Sequence, residues 1–332
     1  MRLIFETGYN SLRMKKRIRI TLISTLAILV TVIIGGSFYM LNYSLGVDAD
    51  RVAKLKDKYH TVMNDNPELK PWMDSLQRCK ALRDTFITMP DGERQYGTFV
   101  YGWKHTGSTA ILIHGWRDCN ITMLPIAHIY EQMGYNVLLP DLHGHGRSDG
   151  DNIGMGWKDR FDVMRWMAIA DTLFRDSTGT TRQVLHGVSM GGATTMYVSG
   201  ERTPAYVKCF VEDCGYSSVW DEFHYELGEM FGLPDFPFMY TTSALCKLRY
   251  GWTFGEASAI SKVKKCHKPM LFIHGDNDDF VPSWMVNPLY AAKPQPKELF
   301  IGKGSTHAHS YRDHKAEYTK RVEKFVSKYI KN

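Results

Sequence analysis

Cysteine is scarce in this chain: six residues in 332, none of them forming a Cys-x-x-Cys pair. That is too sparse for a disulfide-built scaffold, and it speaks against a zinc ribbon or a thioredoxin-type redox motif. A broad positive field is also missing. The formal net charge is +6, but the first 20 residues hold Arg2, Arg13, Lys15, Lys16, Arg17 and Arg19 against the single acid Glu6, which leaves only +1 for the other 312. The basic excess is a local tail, so nucleic-acid binding by the folded part is excluded as a reading. No internal repeat or low-complexity tract occurs. With 44% hydrophobic and 23% charged residues, the composition excludes a wholly disordered or fibrous protein, and the length allows a sizeable core.

Charge is absent altogether from Ile20 to Val47. Within that stretch ITLISTLAILVTVIIGGSFYML, Ile20 to Leu41, would span about 33 Å as a helix, enough for a bilayer core. Tyr39 and Tyr43 stand where an interfacial aromatic belt would lie. A buried core helix of this length would seldom lack every charge. The run is longer than a signal-peptide core, no Ala-x-Ala site follows it and no cysteine lies just after it, so neither a cleaved signal nor a lipoprotein anchor fits well. The expectation is an uncleaved signal anchor over residues 20–45 preceded by a basic tail, residues 1–19. Arg13 to Arg19 crowd one flank and Asp48 and Asp50 open the other. The positive-inside rule then predicts a single-pass protein with a cytoplasmic N-terminus and an extracytoplasmic folded domain.

Residues 46–82 read as two charged helical pieces broken near Asn66-Pro67, either a stalk or an extension packed on the domain. Thr85 to Tyr101 reads as a hairpin around Pro90-Asp91-Gly92. Short apolar runs then alternate with helical stretches: Ala110–His114, Asn136–Pro140, Gln183–Gly187, Val207–Glu212, Met270–His274 and Glu298–Gly302. Such runs suit strands covered on both faces, in a mostly parallel sheet with helical crossovers and the hairpin at its antiparallel edge. Residues 215–257 fit no short crossover and read as an inserted helical cap.

Two Gly-x-Ser-x-Gly matches occur, around Ser148 and around Ser189. A nucleophile elbow needs a strand directly before the serine and a helix directly after it, with small residues two positions either side. Ser189 sits between QVLHG and the helix-compatible GGATTMYVS. Ser148 is separated from its strand by five residues and runs into a polar, glycine-rich loop. Ser189 is therefore the candidate nucleophile, and Ser148 reads as a loop residue. A serine hydroxyl needs a base, and the base needs an orienting acid. His307 and His309 follow the last strand; Asp276, Asp278 and Asp279 follow the penultimate one, and Asp213 ends the strand before the insertion. The chain order Ser, Asp, His is the one this arrangement uses.

With these pieces the chain resembles the α/β-hydrolase superfamily, and most closely its serine aminopeptidase-like and monoacylglycerol lipase-like branch, including membrane-anchored bacterial members. The matching motifs are His114-Gly115-Trp116, Asp141-Leu142-His143-Gly144-His145-Gly146-Arg147-Ser148, Gly187-Val188-Ser189-Met190-Gly191-Gly192, His274-Gly275-Asp276-Asn277-Asp278-Asp279-Phe280-Val281-Pro282 and His307. They cover about residues 83–330 in the right order, within an expected catalytic domain of residues 83–332. Thr306 stands where many relatives have glycine. The resemblance implies an α/β-hydrolase fold, with Asp278 as the acid, His307 as the base and the Trp116 N–H as one oxyanion donor. The other donor is expected to be the N–H of Met190, the residue after the nucleophile.

The expected protein is a serine hydrolase acting on a small acyl substrate without a cofactor. His143 and His145 read as loop-shaping residues, no metal site is expected, and no cysteine is expected to be catalytic. The aromatic insertion contributes Trp220, Phe223 and Phe231 as candidate substrate contacts. An extracytoplasmic setting permits disulfides, although Cys209 and Cys214 would lie about 17 Å apart on an extended chain. A carboxylic ester is expected over a peptide bond. A serine aminopeptidase, an acyltransferase and a catalytically inactive binding module on the same fold are the alternatives.

Overall fold

A computed structural model of the chain describes residues 2–104 and 106–331. It divides into two compact units. One comprises Met1–Ser44 with Leu227–Thr253, the other Leu45–Glu226 with Phe254–Asn332.

The larger unit is built on one eight-stranded sheet. Its strands are β1 (Leu82–Thr88), β2 (Arg94–Val100), β3 (Ser108–Ile113), β4 (Asn136–Pro140), β5 (Arg182–Val188), β6 (Val207–Asp213), β7 (Met270–Gly275) and β8 (Lys297–Gly302). They lie in the order β1-β2-β4-β3-β5-β6-β7-β8. The β1–β2 hairpin pairs antiparallel and β2 joins β4 antiparallel, while every pairing from β4 to β8 is parallel. The runs in β3, β4 and β7 are fully buried because both faces are covered, whereas β8 at the sheet edge leaves Ile301 exposed. Along β3, Ala110 and Leu112 face one layer, as the two-residue period of a strand requires. They join Val137, Leu139, Val184, Val211, Leu271 and Ile273 in a single cluster.

The helices that cover that cluster include an element from the extension. The extension folds as α2 (Leu55–Asp65) and α3 (Leu69–Arg78), with the break at Asn66-Pro67, where the residue before a proline is disfavoured in a helix. Leu69, Trp72, Met73 and Leu76 of α3 enter the same cluster as the sheet. The Trp72 indole N–H also donates to Glu131 at 3.0 Å. This segment is therefore packed on the sheet and is no free stalk. It is joined by Tyr130 of α4 (Leu124–Gln132) and by Tyr318, Val322, Phe325 and Val326 of the C-terminal helix Lys315–Tyr329. The other face carries α5 (Asp159–Phe174), with Val163, Trp166 and Ala170 buried, and the wholly buried α6 (Met190–Ser199).

The smaller unit joins the N-terminal helix α1 (Arg2–Leu45) to a hairpin from the insertion. The hairpin is the end of α7 (Val219–Phe231) and α8 (Phe238–Tyr250). Residues Arg13–Leu45 of α1 are long and apolar enough to cross a membrane. Cys79 is an exposed free thiol, and Cys119, Cys209, Cys214 and Cys266 are buried ones.

Candidate active site

Strand β5 delivers Ser189 to the start of α6 through a turn that strains the backbone: Ser189 has φ 58° and ψ −120°. The glycines of the motif answer to space. A Cβ on Gly187 would overlap the Gly191 carbonyl, and one on Gly191 would overlap the Ile113 carbonyl. The turn is pinned by Ser189 N–H donating to Asp213 O at 2.8 Å. A non-glycine residue held at positive φ stores strain, and such residues cluster at functional sites.

The loop after β8 brings His307 to that serine, with Nε2 2.8 Å from Ser189 Oγ. The loop after β7 brings Asp278 to the other side of the ring, with Oδ2 2.9 Å from His307 Nδ1. A carboxylate only accepts, so Nδ1 carries the proton and Nε2 is left to accept from the serine hydroxyl. Asp278 is itself held: its Oδ1 accepts from Phe280 N–H at 3.1 Å and Val281 N–H at 2.9 Å. His274 Nε2 approaches Oδ2 at 3.4 Å and donates to Val281 O at 2.9 Å. Burial pushes the Asp278 carboxyl up, but the hydrogen bonds from His274 and His307 outweigh it and hold it at about 2. Asp278 is thus a buried anion that accepts from three donors, with His274 Nε2 close beside it.

The other candidates have other partners. Asp276 and Asp279 are exposed. Asp213 accepts from the Tyr318 hydroxyl at 2.8 Å. His309 Nδ1 pairs with Thr306 Oγ1 at 2.7 Å. Ser148 is consumed by structure: its hydroxyl donates to Asp141 O at 2.6 Å and accepts from Tyr96 N–H at 2.9 Å.

Around the serine, the loop after β3 runs close enough that a Cβ on Gly115 would lie 3.8 Å from Ser189 Oγ. Buried His114 shapes this loop. Its Nδ1–H donates to Gly115 O at 2.8 Å, and its Nε2 accepts from Leu142 N–H at 3.0 Å. Burial lowers its pKa to about 4, so the ring is neutral and can play both parts. Trp116 follows directly. Met190 opens α6, where the first backbone N–H groups have no carbonyl one turn earlier to bind. Met190 thus follows Ser189 in the chain, and Trp116 lines the same cavity as Ser189.

A cavity of about 670 Å³ opens over Ser189 and His307. Its walls include Trp116, Met123, Ile126, Phe280 and Tyr311, and also Thr61, Val62 and Asp65 from α2. Lys58 of α2 is tied to the same loop region, donating to Asp118 Oδ1 at 2.6 Å. Sequence reading missed α2 as a wall, because an amphipathic helix does not announce which surface it will cover. Neither Trp220 nor Phe223 is among the residues lining this cavity, and Phe223 packs edge-on to Phe254 at 4.8 Å. Phe231 belongs to the smaller unit, edge-on to Tyr39 and Tyr43. An inserted aromatic segment reads the same in sequence whether its rings face a substrate or one another.

Cys214 Sγ lies with Asp278 and His307 in a group of potential ligand atoms all within 4.8 Å of one another. Burial pushes the thiol pKa far up, and the other two members already bind each other.

Residues 121–332 match the model of the prolyl oligopeptidase family, a span that contains Ser189, Asp278 and His307. The uncharacterized protein YqkD of Bacillus subtilis (strain 168) is 28% identical over 258 residues, 76% of this chain and 82% of the relative. A thermostable monoacylglycerol lipase from Bacillus sp. (strain H-257) is 31% identical over 94 residues, 27% of this chain and 34% of the lipase. Among solved structures, the Pyrococcus furiosus esterase Pf2001 is similar with a TM-score of 0.60 at 20% identity, covering 75% of this chain and 91% of the esterase. That likeness gives the fold: a mostly parallel eight-stranded α/β-hydrolase sheet.

Proposed function

The chain belongs to the prolyl oligopeptidase family of serine hydrolases, and on that premise we propose that it is a membrane-anchored enzyme cleaving a carboxylic ester through an acyl-enzyme on Ser189. One observation carries the reading: Ser189 Oγ, His307 and Asp278 stand in a continuous line of 2.8 Å and 2.9 Å contacts at a strained strand-to-helix turn.

In this reading Ser189 Oγ attacks the carbonyl carbon while His307 Nε2 takes its proton. Asp278 fixes the tautomer of His307 and stabilises the imidazolium that forms. The N–H groups of Met190 and Trp116 receive the oxyanion, each donor worth roughly a hundred- to a thousandfold in rate. His307 then protonates the leaving alcohol. Water, activated by the same histidine, attacks the acyl-enzyme and releases the acid, restoring the serine hydroxyl. The cavity beside Ser189, walled by Val62, Met123 and Ile126, suits an apolar acyl chain. Arg13–Leu45 would anchor the enzyme, and the basic flank favours a cytoplasmic N-terminus with the catalytic unit outside.

An amide substrate with a free amine is a second reading, favoured by Asp65, an exposed carboxylate in the cavity wall. The test is labelling of the full chain in detergent with a fluorophosphonate, beside Ser189→Ala and Ser148→Ala. Loss of labelling in Ser189→Ala alone is expected, and labelling retained in Ser189→Ala would overturn the assignment. Matched p-nitrophenyl esters and p-nitroanilides then separate the two substrate readings.

A further inference from the structure

We infer that the hairpin of residues 227–253 lies in the lipid interface of the membrane that α1 crosses, with Phe236, Tyr240 and Leu248 in contact with lipid. The inference rests on the reading of α1 as an anchor and adds to it a second, monotopic contact.

The first support is the packing within the smaller unit. The Phe238 ring sits over Gly36 so closely that a Cβ there would come 2.7 Å from Cε1. Ser37 Oγ meets Thr241 Oγ1 at 2.5 Å. Phe231 stands edge-on to Tyr39 and Tyr43, with ring centroids 6.4 Å and 6.2 Å away. Small residues on α1, Gly36 and Ser37, let α8 approach closely, as small residues do at helix contacts in membranes.

The second support is depth. A hydrocarbon core of about 30 Å takes roughly 20 helical residues. Counted from Ile20, the first residue past the basic flank, that length ends at Tyr39. Ile20 to Ile34 of α1, about 22 Å of helix, is open apart from half-buried Ile33; beyond it Ser37 and Leu41 are buried while Phe38 and Tyr39 stay exposed. The rest of the hydrocarbon thickness therefore falls at the level where Phe231, Phe238 and Thr241 pack on α1.

The third support is the outer surface of the hairpin. Tyr240, Ala244 and Leu248 are spaced four apart, on one face of α8, and Phe236 precedes them. All four are exposed, Phe236 by 75% and Leu248 by 85%. The acids of the hairpin, Glu229 and Asp235, lie outside α8, while Lys247 and Arg249 stand in its last turn. Large apolar side chains with a basic end fit the boundary between acyl chains and anionic headgroups.

The test uses the full chain carrying Cys79→Ser, since Cys79 is the exposed cysteine. Single cysteines are introduced as Leu26→Cys, Phe236→Cys, Tyr240→Cys and Leu248→Cys, each labelled with an environment-sensitive nitrobenzoxadiazole. The proteins are reconstituted in vesicles of phosphatidylcholine and phosphatidylglycerol, with plain or brominated acyl chains. Quenching by brominated lipid at Leu26 and at the three hairpin positions is expected. Quenching at Leu26 with none at the hairpin would overturn the interfacial contact and leave the anchor standing. No quenching at any position would overturn both. Hairpin quenching that follows protein density and ignores bromination would identify a second copy as the occupant, which also overturns the inference.

Discussion

His274 Nε2 lies 3.4 Å from Asp278 Oδ2 while donating to Val281 O at 2.9 Å, so Asp278 is served by two histidines. An amide at 278 can no longer accept from both rings and would favour the wrong tautomer of His307. Asp278→Asn is expected to lower kcat by roughly a thousandfold or more. His274→Phe should cost less, because His307 and the Phe280 and Val281 N–H groups still hold the carboxylate. Steady-state hydrolysis of one ester by the two variants ranks them; equal losses would put His274 in the line itself.

Next to these groups Glu212 is wholly buried, its Oε2 accepting from Gly215 N–H at 3.0 Å. Burial raises its pKa from 4.5 to about 8, against the opposing charge of His274. A carboxyl raised on folding contributes stability that is complete below 4.5 and lost as pH rises through about 8. Glu212→Gln keeps an acceptor for Gly215 and cannot ionise. Its thermal stability relative to the parent should therefore improve steadily between those two values. Asp278 works with the opposite sign: held below 3.8, its contribution is complete above that value and fades as pH falls towards about 2.

The two Gly-x-Ser-x-Gly serines should separate stability from activity. Ser148→Ala leaves the buried Tyr96 N–H and Asp141 O without their partner, at a cost of about 1–3 kcal/mol with fluorophosphonate labelling retained. Ser189→Gly abolishes labelling yet relieves a backbone held at φ 58°. It should be more stable than Ser189→Ala by about 1 kcal/mol or more. Thermal unfolding in detergent measures both differences.

Val62 of α2 faces the cavity. Val62→Phe fills part of it, so kcat/KM for long-chain esters should fall by roughly tenfold while acetyl esters change little. An unchanged chain-length profile would place the acyl chain elsewhere.

Much of the scaffold was legible locally. Alternating apolar runs mark strands covered on both faces, and QVLHG followed by a small-residue helix marks the turn at Ser189, because strand, strain and helix all lie within about ten consecutive residues. The charge-free run from Ile20 was legible for the same reason. Choosing among Asp276, Asp278 and Asp279 needed resemblance, since three neighbouring carboxylates look alike until one is buried beneath two histidines. Residues 189, 278 and 307 meet only when β5, β7 and β8 are laid side by side. Whether α2 would wall the cavity, and whether Phe231 would face a substrate or Tyr39 and Tyr43, had no local signal at all. The amino-acid sequence by itself determined which segments are strands, helices and an apolar span, because those follow from the periodicity of neighbouring side chains. Only the tertiary structure decided which side chains meet, because that depends on which distant surfaces exclude water from one another.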